Sequence, residues 1–178
     1  PIVSSYPDVI ESAVQPGENH QVPLDRPIFT FHDMKLLEKK CIAYLKPFNI
    51  RPGCVKKAFD KAIAAQKAYI QNIRDKGWET IESSKKKKSL LIVLAGRPYH
   101  ADSLINHKIP EVLAQFGVDI VTEDAVSRHM SADLKDVRVV TQWAYTNRIY
   151  RVAQWVAAQG SHVQMVQITS FGCGPAAV

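Results

Sequence analysis

Four short polar segments hold the residues whose types could do chemistry. Gly96-Arg97-Pro98-Tyr99-His100 offers a guanidinium, a phenol and an imidazole, and Asn106-His107 offers an amide and a second imidazole. Thr122-Glu123-Asp124 contributes two carboxylates, and Ser170-Phe171-Gly172-Cys173-Gly174-Pro175 a hydroxyl and a thiol. Arg97 has a planar fork that suits a carboxylate or a phosphate, or equally a salt bridge to Glu123 or Asp124. His100 and His107 have the chemistry of acids, bases or metal ligands, and also of hydrogen-bonded groups near a helix start. Glu123 and Asp124 are neighbours, so their side chains diverge. That argues against a catalytic carboxylate pair and for helix capping or pairing with Arg97. Glycine on both sides of Cys173 leaves room beside the sulfur, as a thiolate nucleophile, a redox thiol or an iron–sulfur ligand needs.

The elements that would position these segments follow from hydrophobic periodicity. Leu90 to Ala95 is a continuous apolar run, as in a strand buried on both faces. Leu104, Ile105, Ile109, Val112, Leu113 and Phe116 recur at helical spacing, with Gly117 placed to end the helix and Asn106-His107 in its first turns. Val118 to Val121 reads as a second strand. Val140, Ala144, Ile149, Val152, Ala153 and Val156 outline a long helix ending near Gly160, and Val163 to Ile168 a third strand. The order β-α-β-α-β predicts right-handed crossovers and a parallel sheet with helices on its faces. The expected fold is therefore an α/β, flavodoxin-like or Rossmann-like three-layer unit over about residues 90–170, with strand order 2-1-3. Each of the three strands ends in a polar turn, which puts these turns on the carboxyl rim, the ligand edge of an open α/β sheet, and Asn106-His107 is expected to face the same crevice from the first turns of its helix. Arg97, Tyr99, His100, Asn106, His107, Glu123, Asp124 and Ser170 are the expected crevice, with Cys173 the candidate metal ligand.

The chain ahead of this unit has a different character. Residues 1–30 contain five prolines and read as the end of a preceding α/β region, with a short helix near Pro7 and a short strand over Gln21 to Leu24. Residues 31–88 read as a helical segment: Asp33 is a helix N-cap, Pro47 ends that helix, and Pro52 opens a second one reaching about Ser84. Gly77 is a weak point in that second helix, which is long enough to pack across a boundary between two bodies. Residues 89–178 form the expected Rossmann-like domain.

The net charge of +6 conceals an uneven distribution: residues 31–88 carry 15 Lys/Arg against 6 Asp/Glu, and the remainder 8 against 11. The lysine run 85–88 has no interleaved aromatic residue, so nucleic acid is not an expected partner. The longest apolar run is far shorter than the roughly 20 residues of a membrane helix, which argues against a membrane partner. Three cysteines without CxxC spacing exclude a zinc-knuckle or thioredoxin motif and point to a reducing, cytoplasmic setting, with Cys41 and Cys54 expected as core thiols. The phosphate loop GxxxxGK[ST] and the motifs GxGxxG, GxSxG and HExxH are all absent.

At Leu94 to His100, Ile105 to His107 and Ser170 to Pro175 the sequence resembles the large activators of (R)-2-hydroxyglutaryl-CoA dehydratase, the CoA-substrate-specific enzyme activases. Within them it resembles the region related to the dehydratase component. The resemblance continues through Pro1 to Ile10, Leu36 to Leu45, Thr122-Glu123-Asp124 and Trp143 to Arg148, in order and over nearly the whole chain. It implies a cytoplasmic bacterial protein, longer than this chain, in which an ATP-hydrolysing activase module and a dehydratase component are partners. It also implies a [4Fe-4S] cluster in the full-length protein, with Cys173 as one ligand and the others outside this chain, and a role in ATP-linked low-potential electron transfer. Relatives usually have a cysteine just before the segment matching Pro1, so this chain would begin after a second ligand. The isolated fragment is expected to be inactive and to hold no cofactor. Relatives usually have an acidic residue where Ala176 stands and a glycine where Lys108 stands. The competing readings are a non-redox module holding a CoA-type or phosphate-bearing ligand at Arg97, and a docking scaffold.

Overall fold

The computed structural model of the chain describes residues 6–126, 134 and 144–169. The chain divides into two compact units, 1–65 and 66–178, with the division inside one long helix.

The first unit is helical. Helix α1 (Tyr6–Val14) and the short α2 (Pro16–His20) precede an irregular stretch and α3 (Met34–Leu45). The Asp33 carboxylate accepts from the backbone N–H of Lys35 (2.9 Å) and Leu36 (3.0 Å), satisfying two of the donors a helix start leaves open. A 3-10 turn (Lys46–Phe48) follows α3, and helix α4 starts at Pro52 as expected and runs to Lys87. The short strand expected over Gln21 to Leu24 is not formed. Gln21 takes a left-handed φ of 55°, and Pro23 has no N–H to give a ladder. The stretch is held by side chains instead. Tyr44 donates to Asp25 at 3.0 Å, the Phe29 and Tyr44 rings meet edge to face, and Arg26 pairs with Asp8 at 2.7 Å. Cys41 is half-buried and Cys54 exposed, so Cys54 is not the core thiol its helical position suggested. Both line an open apolar groove with Leu45, Val55 and Phe59.

In the second unit, β1 (Leu91–Ala95), β2 (Asp119–Thr122) and β3 (Val163–Gln167) form a parallel sheet in the order β2-β1-β3, as the sequence predicts. Leu91 pairs with Asp119 on one side and Val163 on the other, so β1 is central. That placement explains its unbroken apolar run: every one of its residues is buried. The core comprises Ile81 from α4, Leu91, Val93, Val121 and Val163 from the sheet, Ala125 and Val126 from α7 (Glu123–Val126), and Ile149, Val152 and Val156 from α8 (Ala144–Ala157). Each fully buried aliphatic side chain contributes about 1.5–3 kcal/mol. Val140, expected at the start of the last helix, lies outside the described residues.

The helix expected across 104–116 is broken. Pro98–Ala101 forms α5, a turn follows, and α6 spans Ile109–Ala114. Asp102 turns the chain by accepting from Leu104 N–H at 2.8 Å, and Asn106 does so again from Lys108 N–H at 3.0 Å. His107 and Lys108 take left-handed φ values of 53° and 60°, so Asn106-His107 precede the helix instead of forming its first turns. Leu104 and Phe116, outside the shortened helix, are exposed. Lys108 thus holds a conformation that glycine adopts at no steric cost. Gly117 and Gly160 have positive φ where helices α6 and α8 give way to strands, as expected. Among the described residues no helix is long and apolar enough to cross a membrane.

Candidate functional site

Parallel strands bring their carboxyl ends to one rim. After β1 the chain reaches Gly96, whose N–H donates to the Glu123 carboxylate at 3.3 Å, directly after β2. After β3, Ile168 N–H donates to the Ala95 carbonyl at 2.8 Å. A Cβ on Gly96 would lie 2.6 Å from His100 Nδ1 and 3.0 Å from the Ile168 carbonyl oxygen. Only a residue without a side chain fits there, so Gly96 is the joint at which the three strand ends meet.

Pro98 opens α5, and His100 Nδ1 accepts from Arg97 N–H at 3.1 Å, closing the turn back on itself. That bond requires a neutral ring. Burial, and then the positive charge of Arg97, hold the His100 pKa below 6.5. The Tyr99 and His100 rings meet at 4.3 Å.

Glu123 is buried, with its pKa raised above 4.5 chiefly by that burial. Arg148 and the Gly96 N–H act in the opposite direction, while neighbouring Asp124 adds to the rise. Arg148, on α8, contacts both carboxylates: Nη2 lies 3.5 Å from Glu123 and is hydrogen-bonded to Asp124. The sequence offered Arg97 for this pairing, and the structure assigns it to Arg148. Asn106 is buried and its oxygen closes the Lys108 turn, while His107 is exposed. The structure therefore gathers Arg97, His100, Glu123 and Asp124 around Gly96, with Tyr99 packed against His100, and gives Asn106 a local structural task. Ser170 and Cys173 lie outside the described residues.

Sequence reasoning passed over a second feature of this unit. A groove of about 560 Å³ is lined by Tyr69 and Arg74 of α4, Asp124 of α7, and Tyr145, Arg148 and Arg151 of α8, among others. Its signal was present: Arg148 and Arg151 lie three residues apart, on the flank of the face that carries Ile149, Val152 and Val156, with Tyr145 one turn before Arg148. Arg148 also lies 5.8 Å from the Tyr145 ring centre, within cation–π range.

Among the described residues, no group of three or more His, Cys, Asp and Glu side chains is placed to hold a metal ion. Cys41 and Cys54 belong to the helical unit. The described residues thus do not compose a four-thiolate cluster site by themselves.

No curated protein and no solved structure matches the chain. The family described as CoA enzyme activase uncharacterised domain (DUF2229) matches residues 1–126. That span covers the helical unit, β1, β2 and the Glu123-Asp124 turn, well over half of the sequence, and the chain belongs to this CoA enzyme activase domain family.

Proposed function

We propose that this chain is the dehydratase-like part of a CoA enzyme activase and takes part, at the carboxyl rim of its sheet, in ATP-linked low-potential electron transfer to a 2-hydroxyacyl-CoA dehydratase-type partner. The observation that carries the reading is the convergence of the three strand ends on Gly96, with Glu123 and His100 packed around it. Family membership supports an activase context. The glycine-flanked Cys173 follows Ile168 by five residues in the sequence and would contribute one thiolate to a [4Fe-4S] cluster, whose other ligands come from a longer polypeptide or a second subunit. Such a cluster would supply one-electron chemistry. The chain's own share is to hold the rim turns in place: Glu123 fastens the β1 turn to the β2 turn, and neutral His100 closes the Arg97 turn.

The test is anaerobic reconstitution of the full-length polypeptide with iron and sulfide, followed by EPR of the reduced protein. Cys173→Ser is expected to lower cluster content and change the spectrum. Undiminished cluster content with an unaltered spectrum would refute the assignment of Cys173, and no cluster in the wild-type polypeptide would refute the redox reading as a whole.

A further inference from the structure

The arginine-lined groove goes beyond the electron-transfer reading and does not depend on it. Among the described residues, three guanidinium groups, Arg74, Arg148 and Arg151, and one carboxylate, Asp124, line it. The Nε atoms of Arg148 and Arg151 are both buried, and among the described residues neither has a hydrogen-bond partner. Buried donors of this kind ordinarily find acceptors, and guanidinium groups match phosphate oxygens with two parallel bonds. The aromatic component is separate from the charge. Tyr69 and Tyr145 also line the groove and both are exposed, at 61% and 45%, leaving ring surface free for a planar group. A volume of about 560 Å³ lies within the range of small-molecule sites.

We infer that this groove binds a nucleotide-class ligand, its phosphates held by Arg148, Arg151 and Arg74 and its base set against Tyr69 or Tyr145. Arg148 is already shared with Glu123 and Asp124 of the rim, so an arriving phosphate would compete with those carboxylates for it. The groove and the rim are linked through Arg148 and Asp124, which belong to both.

Calorimetry on the full chain with ADP, inorganic pyrophosphate and adenosine tests the proposal. ADP is expected to bind more tightly than pyrophosphate, and adenosine more weakly than either. Arg151→Gln is expected to weaken ADP at least tenfold, and Tyr145→Leu to bring ADP down to the affinity of pyrophosphate. Arg151 forms none of the ion pairs that hold Glu123 and Asp124, so its variant should retain the wild-type circular dichroism spectrum. If that variant does not fold, Arg74→Gln replaces it with the same expected loss. Lys57→Gln, in the helical unit, should leave binding unchanged. Equal affinity for ADP and pyrophosphate would overturn the nucleotide assignment. Absence of binding, or an equal loss in Lys57→Gln, would overturn the site.

Discussion

Gly77 lies in α4, where helix propensity alone says that alanine is better by about 1 kcal/mol. The structure reverses that expectation. A Cβ at position 77 would lie 3.0 Å from the Cα of Ala125 in α7 and closer still to its Cβ. Non-bonded carbons settle at about 3.5–4.0 Å, so α4 and α7 would have to part by at least about 0.5–1 Å. Ala125 and Val126 are buried in the core, and α7 also carries Glu123, whose bond to Gly96 fastens the rim. Overpacking of this kind costs about 1–3 kcal/mol, and a backbone contact cannot be relieved by a change of rotamer. Set against the gain of about 1 kcal/mol in propensity, the net expectation for Gly77→Ala is a loss of up to about 2 kcal/mol.

Urea denaturation with an unchanged m value measures that loss. The double variant Gly77→Ala, Ala125→Gly removes the Cβ on the facing side and should recover much of it, a coupling that a double-mutant cycle isolates. Stabilisation by Gly77→Ala, or additive effects of the two substitutions, would refute the close approach of α4 to α7.

Other outcomes follow from the rim and the turns. Glu123 holds its proton more tightly in the folded state, so its contribution to stability is complete below about 4.5 and is lost as pH rises through the higher folded value. Carboxyl NMR should place its midpoint above 4.5, and Glu123→Gln should remove that part of the stability profile; a midpoint at or below 4.5 contradicts the buried placement. His100 has the opposite sign: its contribution is present above 6.5 and is lost as pH falls through its lower folded value, which imidazole NMR reads directly. Asp33→Ala removes the acceptor of two helix-start N–H groups and should cost about 1 kcal/mol in thermal or chemical denaturation, with Asp33→Ser close to wild type. Lys108→Gly relieves a left-handed residue and should be neutral or stabilising by up to about 1 kcal/mol, whereas Lys108→Val should destabilise.

What the sequence disclosed and what it hid differ in physical kind. The sheet was legible because a central parallel strand must be apolar on both faces, and Leu91 to Ala95 satisfies that without reference to anything distant. Asp33 and Pro52 were legible for the same reason, since caps and first turns are local. The partner of Glu123 and Asp124 was not. Arg97 and Arg148 are equally good guanidinium groups by type, and only the packing of α8 beside the rim decides between them. The break in the expected helix over 104–116 was concealed because the apolar spacing continues through it. The polar residues inside that spacing decide the matter: Asp102 and Asn106 each capture a backbone N–H two residues on, and Lys108 is forced into the left-handed region. Periodicity reports which side chains would share a face if a helix formed, while side-chain competition for backbone donors determines whether it does. The groove was missed for a related reason. Its arginines alternate along α8 with the core residues Ile149 and Val152, so a search for apolar periodicity treats them as the solvent side of an ordinary helix, although the Nε of both Arg148 and Arg151 is buried.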